Sequence, residues 1–320
     1  MIVITGAAGF IGSSLAWHLN QKGITDLLLV DQLGTSEKWK NLVSLAYTDY
    51  QEKNDFLEYL KSNPKIEAIF HLGACSATTE RDASYLVNNN FLYTKKLAQW
   101  AVQNNCAFIY ASSAATYGEG EFGYQDDKQN IQKLRPLNMY GYSKQMFDLW
   151  AEHNGYADKL IGLKYFNVYG CNEYHKGDMR SVVHKAFEQI MEKGKVQLFK
   201  SHREDYGDGE QLRDFIYVKD AVEMTWACYE QKLAGGLYNI GTGKARSWVD
   251  LVTAVFSALN KPPEIEFIPM PKHLREKYQY YTQAEMAKFQ ATGTKAATFS
   301  LEEGVADTIK YLSNDLQRLG

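Results

Sequence analysis

The fold of this chain is decided by a glycine-rich stretch, Gly6-Ala7-Ala8-Gly9-Phe10-Ile11-Gly12. It follows the β-rich run MIVIT (1–5) and leads into the amphipathic segment SSLAWHLNQKG (13–23). Glycines permit a tight turn and bring the backbone close to a pyrophosphate, and a helix N-terminus offers free N–H groups and a favourable dipole. At the end of a strand and the start of a helix, the stretch predicts a dinucleotide site at Gly6, Gly9, Phe10, Ile11 and Gly12.

Further β-rich runs alternate with helical patterns through the first half of the chain. They are LLLVD (27–31), AIFHLG (68–73), AFIYASS (107–113) and LIGLKYF (160–166), and a long helical pattern covers 84–104. Strands that alternate with helices of this length form βαβ units around a parallel sheet buried on both faces. The sequence therefore predicts an α/β fold with a Rossmann-type doubly wound parallel sheet.

The pattern changes after about residue 168, where charged and glycine-containing loops separate mixed helices and strands. We expect residues 1–167 plus about 213–243 to form the dinucleotide-binding domain. A smaller mixed α/β substrate-binding domain would then comprise about 168–212 plus 244–320. Clefts between two such domains are common ligand sites, so the active cleft is expected there.

The composition favours a cytoplasmic enzyme. The chain has 320 residues, 45% apolar and 23% charged, with a formal net charge of -3, which gives no reason to expect nucleic acid or a membrane as partner. No apolar run approaches the ~20 residues that span a bilayer, and MIVITGAAGF lacks the features of a signal peptide. The four scattered cysteines suggest neither a metal site nor a disulfide framework.

The acidic residue expected after the glycine turn is Asp31, where a carboxylate accepts the ribose hydroxyls of NAD and repels a 2′-phosphate. Lys38 and Lys53 complicate this interpretation, because either ammonium would offset that repulsion. Two hypotheses remain open on spacing alone. The lysines are either contacts to the 2′-phosphate of NADP or solvated surface residues, and NAD stays possible as the cofactor.

Tyr140 and Lys144 lie four residues apart in a stretch that precedes the helical pattern QMFDLWAEH. On a helix they share one face, where an ammonium lowers the pKa of a phenol. The phenol can then exchange a proton with a substrate hydroxyl. Ser113 follows the strand AFIYA, at a carboxyl end of the sheet, where its hydroxyl can bind the reacting oxygen. Read alone, Ser113 is also typical of a residue that caps a turn.

Together these motifs and the later RDFIYV (213–218) resemble the extended short-chain dehydrogenases that act on nucleotide sugars. The resemblance runs nearly end to end. Dehydratases of that class carry an acidic pair after the serine motif, where this chain has Ala114-Ala115-Thr116, which argues against dehydration. The resemblance adds cofactor contacts to those above: Gln32, Leu72, Gly73, Ala74, Cys75, Ser76, Asn89, Lys144 and Val168.

Within that class the chain is most similar to the ADP-L-glycero-D-manno-heptose 6-epimerases. The similarity lies in HLGACSATTE (71–80), SSAATYG (112–118), YFNVYG (165–170) with His175-Lys176-Gly177, and Tyr278-Gln279 with Thr282-Gln283-Ala284. The resemblance implies an ADP-heptose substrate, epimerisation at C6″ with bound NADP, and a homopentamer. It also implies a role in supplying the heptose donor of the lipopolysaccharide inner core. Lys176 would be a second proton-exchanging residue, opposite Tyr140, although without the resemblance it is also typical of a surface loop lysine or of one that pairs with a diphosphate.

The same resemblance implies a substrate pocket. Its residues are Ser113, Asn167, Asp178, Lys185, Phe199, Lys200, Ser201, His202, Arg213 and Tyr278. Arg213 offers a fork that suits a diphosphate, although an arginine beside Asp214 is also a common structural pair. The family has a small hydroxyl residue in place of Asp178 and a histidine in place of Lys185, and loop 200–211 is longer and more acidic than expected. Two alternatives therefore stay open, an enzyme for another nucleotide sugar and a non-catalytic NADP-binding sensor.

Overall fold

A computed structural model describes residues 1–275, 278–314 and 318–319. Its main sheet has seven parallel strands in the spatial order β10-β6-β5-β4-β1-β2-β3. The strands are β1 Ile2–Thr5, β2 Leu27–Asp31, β3 Asp49–Glu52, β4 Ala68–His71, β5 Ala107–Ser113, β6 Ile161–Tyr165 and β10 Gly236–Ile240. The order reverses between β1 and β4, where ligands bind in open α/β sheets.

Helices cover both faces of this sheet. They are α1 Phe10–Gln21, α2 Lys53–Leu60, α3 Ala83–Leu86, α4 Tyr93–Gln103, α5 Met139–His153 and α7 Val218–Glu230. Side chains of β1 alternate between two cores: Ile2 and Ile4 pack with α1 and α7, and Val3 packs with α2, α4 and α5. A parallel sheet buried on both faces explains why its strands are almost continuously apolar. The predicted fold class is confirmed.

Smaller sheets complete the structure. β7 Asn167–Tyr169, β9 Leu212–Tyr217 and β11 Ala245–Ser247 form one sheet in the order β11-β9-β7, and β8 Val196–Phe199 pairs with β12 Ile265–Ile268 in another. The accompanying helices are α6 Val182–Lys193, α8 Trp248–Ala258, α9 Lys272–Arg275, α10 Ala287–Ala291 and α11 Leu301–Ser313. The smaller mixed α/β part is thus present, while the domain boundaries given above stay a prediction.

None of the helices in the described ranges is both long and apolar enough to cross a membrane. Assignment to the cytoplasm remains a prediction from composition.

Candidate active site

The glycine turn adopts a shape that larger residues cannot enter. Gly6 has φ +69°, and a Cβ added there would lie 2.6 Å from the backbone of Gly73, which follows β4. A Cβ on Gly12 would overlap the carbonyl oxygen of Gly6. The turn therefore packs directly against residues 72–73, so two of the predicted cofactor segments lie together at the carboxyl ends of β1 and β4.

The N-terminus of α1 fits a pyrophosphate. Gly9 occupies the N-cap position, and no side chain caps the helix. The first N–H groups of a helix have no intrahelical acceptor, so those of Phe10, Ile11 and Gly12 are available to an anion. The close backbone packing at Gly6 and Gly12, which leaves no room for a Cβ, and these free N–H donors suit a dinucleotide phosphate group.

Replacing Gly12 by alanine is expected to weaken dinucleotide binding and to lower the free energy of unfolding by about 1–3 kcal/mol, because the turn must shift away from the new Cβ. Gly23→Ala is the matched control. Gly23 lies past the other end of α1 with φ +77° and open space around it, so that variant loses stability and keeps its cofactor affinity. Titration with NADP⁺ and thermal unfolding measure both effects, and unchanged affinity in Gly12→Ala would contradict the assignment.

Asp31 lies at the end of β2 and is already paired. Its carboxylate accepts hydrogen bonds from Ala8 N (2.8 Å) and Gln32 N (2.7 Å), and the ammonium of Lys38 lies 2.7 Å from its Oδ1. Lys53, at the start of α2, donates to Asn89 Oδ1 and stands over the ring of Tyr93. Burial lowers the pKa of Lys53, while Asp31 raises it and Lys38 lowers it. Two ammonium groups thus lie near Asp31, and the carboxylate of Glu52, which pairs in register with Asp31, accepts from Leu33 N at the neighbouring strand end (3.4 Å).

The segment 72–76 is held by an asparagine that sequence reasoning missed. Asn90 Oδ1 accepts from Cys75 N (2.9 Å), and its Nδ2 donates to Cys75 O (2.9 Å) and to Ser143 Oγ on α5 (3.0 Å). Asn89, predicted as a cofactor contact, also donates to Asn90 Oδ1 (3.0 Å). Both lie in a π-helical turn, Val87–Leu92, between α3 and α4. Such turns are frequent at functional sites.

Tyr140 and Lys144 lie on the first turns of α5, as predicted. Asn138 caps this helix by accepting from Gly141 N (2.9 Å), and a Cβ on Gly141 would lie 2.7 Å from Ala115 O. The helix therefore begins against the turn that follows Ser113. Ser113 is buried, and its Oγ accepts from Ala115 N (3.1 Å) while also interacting with the Tyr140 phenol. It is both a turn cap and a member of the predicted centre.

The electrostatics of this centre differ from the sequence expectation. Burial raises the pKa of Tyr140, and the interaction with Ser113 lowers it by less. The expected net lowering by Lys144 is wrong for this arrangement, because the Lys144 ammonium points to the carbonyl oxygen of Ala111, 2.9 Å away. Burial lowers the pKa of Lys144 itself to about 8, while Asp148 and Cys75 raise it.

Lys176 lies in a short helical turn, Tyr174–Met179, between β7 and α6. Gly177 has φ +51°, which requires glycine, and so the His175-Lys176-Gly177 sequence sets the path of this turn. The Lys176 ammonium stands 5.1 Å from the centre of the Phe10 ring and 3.6 Å from Glu173, which is fully buried. The loop therefore brings Lys176 to the glycine turn, with a buried carboxylate as its partner.

Arg213 lies on β9 between two aromatic rings. Its guanidinium is 5.3 Å from the ring centre of Tyr278 and 5.7 Å from that of Trp248, and it donates to the carbonyls of Leu212 and Gln279. Asp214 points elsewhere and accepts from Thr242 N (2.8 Å), Gly243 N (2.8 Å) and Ala284 N (3.0 Å). Arg213 is therefore not the arginine–aspartate structural pair that sequence proximity allowed.

The two positions that depart from the family pattern are in contact. Lys185 Nζ donates to the carbonyl oxygen of Asp178 at 2.5 Å, across the start of α6. Asp178 itself is exposed.

The other predicted substrate residues lie nearby in the smaller part. Phe199 ends β8, Lys200 N donates to Ile268 O (2.8 Å), and Ser201 N donates to Asp208 (2.8 Å). His202 pairs with the hydroxyl of Tyr280 (2.7 Å), and Asn167 lies 3.5 Å from Thr282 Oγ1. Val168, on β7, pairs in register with Ile216 of β9.

Sequence reasoning missed Asn90, Glu173 and Trp248. A run of three asparagines, 88–90, in an otherwise helical pattern was the only signal for Asn90. Glu173 stands three residues before Lys176, a spacing that brings charges together on a helical turn. Trp248 carried no signal, because it meets Arg213 only through pairing of β9 with β11.

Comparison with known proteins agrees with this geometry. The sequence profile of the NAD dependent epimerase/dehydratase family matches residues 2–241, and the chain belongs to that family. A curated relative, the ADP-L-glycero-D-manno-heptose-6-epimerase of Nitratidesulfovibrio vulgaris, is 51% identical over 98% of both chains.

Two solved structures share the fold. The Helicobacter pylori ADP-L-glycero-D-manno-heptose-6-epimerase aligns with a TM-score of 0.83 and 27% identity, covering 98% of this chain and 96% of that one. The UDP-glucose 4-epimerase of Thermotoga maritima, solved with UDP-glucose, gives 0.81 and 26%, covering 98% and 99%. Because the two scores are nearly equal, the fold alone does not separate these substrates. The 51% identity to the curated relative over 98% of both chains favours the ADP-L-glycero-D-manno-heptose-6-epimerases.

Proposed function

We propose that this protein interconverts ADP-D-glycero-β-D-manno-heptose and ADP-L-glycero-β-D-manno-heptose by transient oxidation at C6″. The observation that carries the proposal is Lys176, which the His175-Lys176-Gly177 loop holds beside the glycine turn. It is a second proton-exchanging group in addition to Tyr140, in a chain 51% identical to a protein of that name. A bound nicotinamide supplies the acceptor and donor of hydride.

Tyr140 takes the proton from the C6″ hydroxyl as that carbon is oxidised. Ser113 interacts with the phenol and donates to the reacting oxygen, which keeps the two oxygens within hydrogen-bond reach. Lys144, one helical turn further along α5, is the proposed cofactor contact on the same helical face, and its ammonium, which donates to Ala111 O, adds positive charge to the site without lowering the pKa of the phenol. The products of this half-reaction are a C6″ ketone and a protonated Tyr140.

Inversion then requires the ketone to turn its other face before reduction. Its oxygen must receive a proton in the new orientation, and in this proposal the ammonium of Lys176 donates it. Glu173 is buried and lies 3.6 Å from that ammonium, so it is the carboxylate partner of Lys176 in the site. The protonation states of Tyr140 and Lys176 are exchanged after each turnover, and solvent or the reverse reaction restores them.

The substrate diphosphate would be bound by Arg213. This arginine is buried, and burial lowers its pKa, while the phenols of Tyr278, Tyr124 and Tyr206 raise it. A planar fork of donors matches a diphosphate better than an ammonium would. Contacts with Trp248 and Tyr278 restrict the guanidinium, which limits the loss of side-chain entropy on binding.

A second candidate is an epimerase of another nucleotide sugar. The contact between Lys185 and Asp178 favours it, because both positions depart from the ADP-heptose pattern. Incubation of purified protein with ADP-D-glycero-β-D-manno-heptose, followed by NMR at C6″, separates the two. We expect the L-glycero epimer to accumulate and UDP-glucose or GDP-mannose to remain unchanged. Turnover of a UDP- or GDP-sugar without conversion of the ADP-heptose would favour the second candidate.

The cofactor is proposed to be NADP. Lys38 and Lys53 place two ammonium groups near the carboxylate of Asp31, where they would offset its repulsion of a 2′-phosphate. Removing Lys38 by mutation to alanine is expected to weaken NADP⁺ binding by ~10- to 100-fold with little effect on NAD⁺, in line with the loss of one charge-assisted hydrogen bond. Lys40→Ala is the control, since Lys40 pairs with the exposed Glu37 instead. Equal losses for both cofactors would contradict the role of Lys38.

Two further expectations follow from the family resemblance. We infer a homopentamer, which sedimentation equilibrium of the purified chain would test. We also infer that the product is the heptose donor for the lipopolysaccharide inner core. Deletion of the gene should then remove heptose from the inner core of the strain.

A further inference from the structure

Beneath the reacting residues lies a fully buried ion pair that the reaction scheme does not use. Asp148, on α5, and Lys164, on β6, are each 1% exposed, and the Lys164 ammonium lies 3.0 Å from Asp148 Oδ2. Burying two charges is costly unless the geometry is good and further hydrogen bonds satisfy them. The neighbours of this pair therefore show what it holds in place.

Every partner of the pair belongs to the strand and turn that carry Ser113. Asp148 Oδ2 accepts from Ser112 Oγ (2.8 Å), and its Oδ1 accepts from Tyr110 Oη (2.9 Å). Lys164 Nζ donates to Thr116 Oγ1 (2.7 Å), whose hydroxyl in turn donates to Ser113 O (2.7 Å). The end of β5 and the turn after it are thus fastened at three points to α5 and β6.

Asp148 also lies on the same face of α5 as Lys144. Asp148 lies one helical turn after Lys144 on α5, and Lys144 donates to Ala111 on the same stretch of β5. Other charged or titratable groups near Lys144 are Tyr140, one turn earlier on α5, and Cys75 and His71, from the segment at the end of β4. Among the groups named here, Asp148 is the one carboxylate near Lys144, and it raises the pKa of that lysine.

We propose that Asp148 and Lys164 are positioning residues for the reacting centre. They fix the end of β5, and with it Ser113, against α5, and Asp148 supplies the counter-charge for Lys144. The proposal rests on the proposed function, in which Tyr140, Ser113 and Lys144 act together. Neither Asp148 nor Lys164 touches the substrate, so both act through the residues they hold.

Asp148→Asn keeps the shape and removes the charge. We expect kcat to fall ~10- to 100-fold with KM within ~3-fold of wild type, since a group that acts only in the transition state is disturbed. The cationic form of Lys144 is the active one, so activity is lost as pH rises through its pKa of about 8. Because Asp148 raises that pKa, the alkaline limb of kcat/KM should move to lower pH in the variant. An unchanged kcat and an unchanged limb would overturn the proposal.

Matched variants separate position from charge. Tyr110→Phe removes one hydrogen bond to the same carboxylate and leaves its charge, so its alkaline limb should stay where it is in wild type. Cys75→Ser removes the thiol near Lys144. The pH at which the alkaline limb of kcat/KM falls in this variant, compared with wild type, measures the effect of that thiol. Lys164→Arg should retain most of the activity that Lys164→Met loses, because it restores the positive partner.

If Asp148→Asn fails to fold, the milder pair Ser112→Ala and Thr116→Val decides the question. Together they release the end of β5 while both buried charges remain. Their combination should lower kcat ~10-fold without moving the alkaline limb, and wild-type kcat in the folded double variant would overturn the positioning role.

A measurement without substrate completes the test. Lysine side-chain NMR of the protein, with Lys144 assigned from a Lys144→Met sample, follows its titration directly. Lys144 should lose its proton at lower pH in Asp148→Asn than in wild type, and identical titrations would overturn the counter-charge role. If wild type converts no ADP-heptose but this shift is seen, the proposed function fails and the pair retains its role.

Discussion

Tyr140→Phe is expected to lower kcat by ~100- to 10,000-fold, the range that a positioned acid or base contributes. The ring stays and only the hydroxyl is lost, so packing at the start of α5 should be preserved. Burial raises the pKa of this phenol, and the Ser113 interaction offsets part of that rise. Because the variant has no phenol oxygen, it lacks the proposed proton acceptor for the C6″ hydroxyl. Its dinucleotide affinity and melting temperature should match those of wild type.

The chain offers a control two residues away. Tyr142 is on the same helix but 47% exposed, and Tyr142→Phe should leave kcat and KM unchanged. Steady-state rates of ADP-heptose conversion compare the three proteins. If Tyr140→Phe keeps more than about a third of wild-type kcat, a level far above the loss expected for an acid or base, Tyr140 is not the proton-exchanging group.

Lys176→Met is expected to have the second-largest effect, a loss of ~100-fold or more in kcat. Methionine has a similar length and no charge, and it can stay over the Phe10 ring. The competing role for Lys176 is pairing with the substrate diphosphate, which acts on ground-state binding. That role would raise KM and leave kcat nearly unchanged.

The split between kcat and KM therefore decides between the two roles of Lys176. Lys193→Met, at the exposed last turn of α6, controls for loss of a lysine charge in this part of the chain. The double variant Tyr140→Phe, Lys176→Met should be inactive, and measurable epimerisation by it would refute the assignment of both groups. Turnover by the wild-type protein in the same assay also excludes a non-catalytic sensor, because a sensor converts no substrate.

The parts of the fold that the sequence predicts best are local. They are formed by residues that are close together in the sequence. These features are the glycine turn, the strands β1, β2, β4, β5 and β6, and the pair Tyr140 and Lys144. The helical pattern over 84–104 was also right in outline, but it is interrupted by the π-helical turn 87–92. Within that interruption Asn90 bonds the backbone of Cys75 while the adjacent Asn89 accepts from Lys53, an arrangement that a regular helical period does not indicate.

The missed contacts are those that join distant segments. β8 and β12 pair residues 196–199 with 265–268, and short mixed strands of this kind have no distinctive pattern. Asp148 looked like an ordinary helical acid, and Lys164 looked like a polar interruption in an apolar strand. Only the parallel pairing of β5 with β6 brings Lys164 level with Ser112, next to the Asp148 carboxylate. A pKa likewise depends on burial in the folded state, which explains why the expected lowering of the Tyr140 pKa was wrong.

The most direct test of the central claim uses ADP-D-glycero-β-D-manno-heptose carrying deuterium at C6″, incubated with the protein and NADP⁺ in ordinary water. Oxidation and re-reduction at C6″ within one site predict that the L-glycero product forms and still carries deuterium at that carbon. NMR and mass spectrometry of the product measure both outcomes. Product with hydrogen from solvent at C6″, or no epimerisation of this substrate, would contradict the claim.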